Sequence, residues 1–139
     1  MYERGQVGKQ GETSKLFMSG FLSVFSSYVD EKYRRTIAKT MYEDLRCGLD
    51  HYSLPKESIG LMRLDIPFGY SMLPFNNGKE IPRIAIDPEV FLDEIEDHFQ
   101  EYIARLRGNS YLELRNKFTR VFSTLYYGTP DGYTKSKET

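Results

Sequence analysis

The chain has no tryptophan, one cysteine, two histidines and no long hydrophobic run among its 139 residues. With Cys47 alone, an intrachain disulfide and a cysteine-built zinc cage are excluded. His51 and His98 form no HExxH pair, so a structural zinc site has no basis either. The most apolar stretch, Leu16 to Val29, is interrupted by Ser19, Gly20, Ser23, Ser26 and Ser27 and is too short to span a bilayer. The polar start MYERGQVGKQGETSK lacks signal-peptide and transit-peptide character. A soluble, cytoplasmic or particle-associated protein with no membrane partner and no signal-peptide export is expected. The net charge is -1, so no whole-molecule field draws the chain to nucleic acid or anionic lipid, and only local patches remain.

Catalytic signatures are missing as well. There is no G-x-S-x-G elbow, and Cys47 lies inside a helical pattern with no histidine base beside it. The glycines of RGQVGKQGE follow no strand and precede no Lys-Ser/Thr, which excludes a phosphate-cradling loop. No catalytic residue, metal ligand or cofactor is assigned.

What the chain does have is aromatic mass, with eleven Tyr and nine Phe, and 40% apolar content suited to one compact domain. Residues 1–14 are expected as a flexible N-terminal arm and residues 128–139 as a polar tail. Between them, 15–127 forms a single helical domain. Phe17, Phe21, Val24, Phe25 and Tyr28, then Tyr33, Ile37, Met41, Leu45 and Leu49, recur at helical spacing. They belong to two helices broken near Asp30 or to one long bent helix. Gly48 with Asp50 is expected to stop this pattern, and Pro55 to open a short new helix.

Residues 58–86 differ. SIGLMRLDIPFGY and KEIPRIAI are strand candidates around an Asn-Asn-Gly turn, a small extended or β-hairpin insertion. Pro67 and Pro82 predict edge or short strands. The apolar tip of Met72, Leu73 and Phe75, with Tyr70 beside it, either folds onto the helices or docks into a partner.

Asp87-Pro88-Glu89 predicts a helix start, and Leu92, Ile95, Phe99, Tyr102, Ile103 and Leu106 its buried seam, ending at Gly108. Ser110 with Glu113 predicts a capping box for a further helix whose seam is Tyr111, Leu114, Phe118, Val121, Phe122 and Leu125. The fold class is therefore mainly α: three to four helices, a C-terminal antiparallel αα-hairpin, and the small insertion.

Charge is unevenly placed on that hairpin. Residues 87–101 hold seven acids, among them the acidic face Asp93, Glu94, Glu96, Asp97 and Glu101. Glu94, His98 and Glu101 share a helix flank, but di-metal helical sites place Glu three residues before His, where Ile95 stands. A solvated face with His98 paired to a neighbouring Glu is the simpler reading. Residues 102–120 hold five bases, Arg105, Arg107, Arg115, Lys117 and Arg120, against one acid. Arg105 and Arg107 suit a helix C-terminus, while Arg115 and Lys117 fall about 200° apart on an ideal helix. Such polarity suits head-to-tail association or neutralisation within the hairpin.

The function expected is a non-enzymatic adaptor or assembly component acting through a protein partner or self-association. A phage or mobile-element structural protein is one such setting. The alternative is a small regulator that binds nucleic acid, or a nucleic-acid-bound protein, through residues 105–120.

Overall fold

The computed structural model describes residues 12–127. The expected arm lies outside the described residues up to position 11, and the tail 128–139 lies outside them entirely. Helix makes up 66% of the described residues, which establishes the mainly α class. The helices are α1 (Thr13–Phe25), α2 (Arg34–Thr40) and α3 (Cys47–Tyr52), then α4 (Pro88–Arg107) and α5 (Leu112–Tyr127). A π-helical segment, Met41–Arg46, joins α2 to α3 without a break, so the described residues hold four helices. The chain divides into a unit of Ser14–Phe99 and a second unit that includes residues 100–127.

In the first unit, the apolar side of α1 and the inner face of a three-stranded sheet make an aromatic core. Phe25 is 1% exposed, stacks on Phe91 at 4.4 Å between ring centroids and meets Phe68 edge-on at 5.7 Å. Ile37, Ala38 and Met41 close the core from α2 and the π segment. The predicted break near Asp30 is present. Two short 3-10 turns, Ser26–Tyr28 and Glu31–Tyr33, flank an extended Val29 that is itself buried. Two helices, not one bent helix, result.

Gly48 does not end the helix. The helix runs on to Tyr52 and stops where Ser53 turns left-handed (φ 57°) and donates its N–H to Leu49. Gly48 is buried because residues 54–56 cross directly over it. A Cβ there would lie 2.7 Å from the Leu54 carbonyl oxygen. Beside it, in the π segment, the Asp44 carbonyl accepts from the Lys56 N–H at 2.9 Å. Pro55 accordingly starts no helix; it lies in the crossing strand of chain that leads to a turn before the sheet.

The sheet has order β1-β3-β2, with β1 (Ile59–Leu61) parallel to β3 (Glu80–Ile86) and β2 (Phe68–Pro74) antiparallel to it. The Asn-Asn-Gly turn forms as expected, Asn77 and Gly78 both taking positive φ (67° and 73°). Pro82, expected on an edge, stands instead in the central strand. Phe75 donates to Lys79 and closes the hairpin, so Met72–Pro82 is a pair that exchanges no backbone bonds. The Pro82 nitrogen therefore faces the other side, where β1 has not begun; β1 pairing starts two residues on, as Ile84 donates to Ser58. Proline is tolerated because the sheet is incomplete at that point.

In the second unit, Tyr102, Leu114 and Val121 are buried, and Ile103, Leu106 and Phe118 are half-buried. The α4–α5 connection is short. Gly108 follows α4 and donates back to Ala104 and Arg105, as a terminating glycine should. The predicted capping box is not how α5 begins: the helix starts at Leu112, Arg115 donates back to Tyr111, and the Glu113 carboxylate turns forward to Lys117 at 2.7 Å.

Candidate functional site

Asp87 is the most heavily used side chain in the first unit. It is 5% exposed, the only buried charged residue among the described ones. One carboxylate oxygen caps α4, accepting from the N–H groups of Glu89 (3.1 Å) and Val90 (3.4 Å). The other accepts from Leu64 at 2.7 Å, tying the β1–β2 connection to the helix start. The Leu64 N–H, followed by those of Val90 and Glu89, holds this carboxyl below its ordinary range against the opposing effect of burial. The cap follows from Asp-Pro-Glu, whereas the partnership with Leu64 has no sequence signal. Both carboxylate oxygens are engaged by backbone N–H groups, so the role of Asp87 is architectural.

The hairpin tip divides by strand alternation. Tyr70 and Met72 point to the helices: the Tyr70 hydroxyl accepts from the Asp30 N–H at 3.0 Å, its ring meets Tyr33 edge-on, and Met72 packs on the core. Leu73 (46%) and Phe75 (57%) stay exposed. One half of the apolar tip thus folds inward and the other half faces out.

On α4 the buried side is displaced from the seam that the periodicity suggests. Phe91 makes the core contact, while Leu92, Ile95 and Phe99 remain 63%, 39% and 52% exposed. The apolar sector of α4 is wider than one seam, and the aromatic core takes only the edge that contains Phe91. Glu94 consequently leaves the acidic face. It is half-buried and accepts a 2.5 Å hydrogen bond from the Tyr28 hydroxyl. That bond first, and desolvation second, push the Tyr28 phenol above its ordinary value. His98 is half-buried, whereas Asp93, Glu96, Asp97 and Glu101 are exposed. No ion pair engages Asp93, Glu96 or Asp97 among the described residues. Spacing i, i+4, i+7 places Leu92, Glu96 and Phe99 on one ridge, apolar–acidic–apolar.

The basic residues do not form one patch. Arg105 lies over the Tyr111 ring at 5.6 Å, and Lys117 is held by Glu113. Arg120 is exposed on α5. Arg107 and Arg115 instead border a cleft of about 330 Å³ with Ile103, Leu106, Phe118 and Thr119. Arg115 Nε is buried with no acceptor, and Nη2 makes only a long 3.5 Å contact with the Asn109 carbonyl. The cleft joins residues that the sequence separates into a buried seam and a basic cluster. Only the folding of the second unit brings them together.

The remaining polar groups make no chemistry by themselves. Cys47 is half-buried beside Arg46, which pairs with Asp50 at 3.0 Å. His51 is exposed next to Tyr52. Among the described residues no group of three or more His, Cys, Asp and Glu side chains can hold a metal ion, and no helix is long and apolar enough to cross a membrane. Comparison with protein-family models, curated proteins and solved structures finds no match.

Proposed function

We propose that the protein is a non-enzymatic adaptor or assembly component that works through protein–protein contacts. The observation that carries this reading is the Leu92–Glu96–Phe99 ridge. A helix anchored to an aromatic core by Phe91 leaves two large apolar residues in water, and the carboxylate between them has no partner among the described residues. Exposed apolar residues grouped on a rigid element mark interaction surfaces more often than scattered ones do. Leu73 and Phe75 are further exposed apolar residues of the same unit. The second half of α4 and α5 are read as an antiparallel αα-hairpin, supported by the short connection and by the Arg105–Tyr111 contact across it.

The test is photo-crosslinking in native cells from a benzophenone amino acid at Leu92, at Leu73 and, as a control, at Lys79. Specific protein adducts from Leu92 but not from Lys79 support the adaptor reading. A chain that crosslinks to no protein from either apolar position overturns it. The regulator reading through residues 105–120 has less free charge to draw on, because Lys117 is tied to Glu113. Salt-sensitive heparin retention lost on Arg107→Ala would favour the regulator instead.

A further inference from the structure

We infer that the second-unit cleft is the docking site for the Leu92–Glu96–Phe99 ridge of a second copy of this chain. The inference rests on the adaptor reading and names its partner. The cleft and the ridge are complementary in residue type and charge. Ile103, Leu106 and Phe118 give the cleft an apolar floor, and Arg107 and Arg115 stand at its border with no carboxylate partner among the described residues. The ridge presents the inverse pattern, two apolar side chains around one acid that has no partner among the described residues.

Two features fix the polarity of the contact. Arg107 is exposed and has no acidic partner among the described residues, so a carboxylate can reach its guanidinium. Arg115, whose Nε has no acceptor among the described residues, adds a second positive charge beside it. In the complex, Leu92 and Phe99 of one copy lie against Ile103, Leu106 and Phe118 of the other, with Glu96 directed at Arg107. Water is displaced from apolar surface on both sides, which supplies affinity, while the charge pair selects register. The partner is a second copy because both halves of the match are encoded in one chain.

Sedimentation velocity over a concentration series tests this on the full chain, with circular dichroism confirming that each variant is folded. Both Glu96 and Arg107 are exposed, so their exchange leaves the core intact. Wild type is expected to self-associate. Glu96→Arg and Arg107→Glu, separately, each raise the apparent dissociation constant at least about tenfold. A one-to-one mixture of the two variants restores a two-chain complex, because the intact ridge of one meets the intact cleft of the other. The chain carrying both exchanges regains association with itself. Single variants that associate as wild type does, or a mixture that fails to recombine, overturn the proposal. A wild-type chain that stays monomeric at about 1 mM also overturns it. In that last case the crosslinking experiment separates the two readings. Adducts from Leu92 to a different protein keep the adaptor and remove the second copy; no adducts remove both.

Discussion

The two units use aromatic residues in opposite ways. In Ser14–Phe99, Phe25 and Phe68 are each 1% exposed and touch rings contributed by α1, β2 and α4. In the second unit, Phe118, Phe122 and Tyr126 stack one turn apart along α5 at 6.0 and 4.3 Å, yet Phe122 is 40% and Tyr126 71% exposed. Stacking within one helix brings rings together without removing them from water. Burial needs elements that are distant in sequence to converge. The first unit is therefore held by its core, whereas the second presents much of its apolar surface, and their local stabilities should differ accordingly.

Substitutions in each unit test this contrast. The largest effect is expected at Phe25. Phe25→Ala removes the centre of the aromatic cluster and should cost about 3–5 kcal/mol, read as a fall in the urea midpoint of the first unit. Asp87→Ala comes next, because it removes the α4 cap and leaves the Leu64 N–H unsatisfied. Its midpoint shift should fall between those of Phe25→Ala and Tyr28→Phe. The sign of its pH dependence follows from a depressed folded pKa. The Asp87 contribution is complete above the unfolded value of about 3.9 and is lost as pH falls through the lower folded value. Wild type should therefore lose its advantage over Asp87→Ala in acid, and an advantage independent of pH would contradict the carboxylate's role.

Gly48→Ala sets two effects against each other. Alanine improves helix propensity by about 1 kcal/mol, but its Cβ would sit 2.7 Å from a backbone oxygen that cannot rotate away. The clash should win, giving a net loss of about 1–3 kcal/mol in the same denaturation assay.

Tyr28→Phe removes the bond to Glu94 and should cost about 1 kcal/mol. A raised folded pKa means that this contribution is full below about pH 10 and fades as pH rises through the folded value. The difference between Tyr28→Phe and wild type should consequently shrink in alkali. Phe122→Ala should have the smallest effect, about 1 kcal/mol or less, since the ring is already partly in water. A loss as large as that at Phe25 would show that the second unit is core-stabilised after all.

What sequence reading recovered is local. Asp87-Pro88-Glu89 predicts the start of α4 because an N-cap side chain, a proline at the first helical position and an early acid act within one turn. Asn76-Asn77-Gly78 predicts the hairpin because positive φ is a property of the residues themselves. The break near Asp30 and the end of α4 before Gly108 are of the same kind. The Gly48 expectation failed for the complementary reason. Glycine weakens a helix on its own, but here it admits a segment that returns over the helix, and that return is set by contacts elsewhere.

Fold class, the aromatic supply for a core and the ends of most elements were thus determined by the sequence alone, since each depends on residues a few positions apart. Tertiary structure alone decided that Pro82 sits in a central strand, that Glu94 turns to Tyr28 and that Phe91, not Leu92, packs on the core. It also decided that Arg107 and Arg115 border an apolar cleft. Periodicity defines how wide an apolar sector a helix offers, but only the surface packed against it selects which part is covered. The uncovered part is where the functional reading now rests.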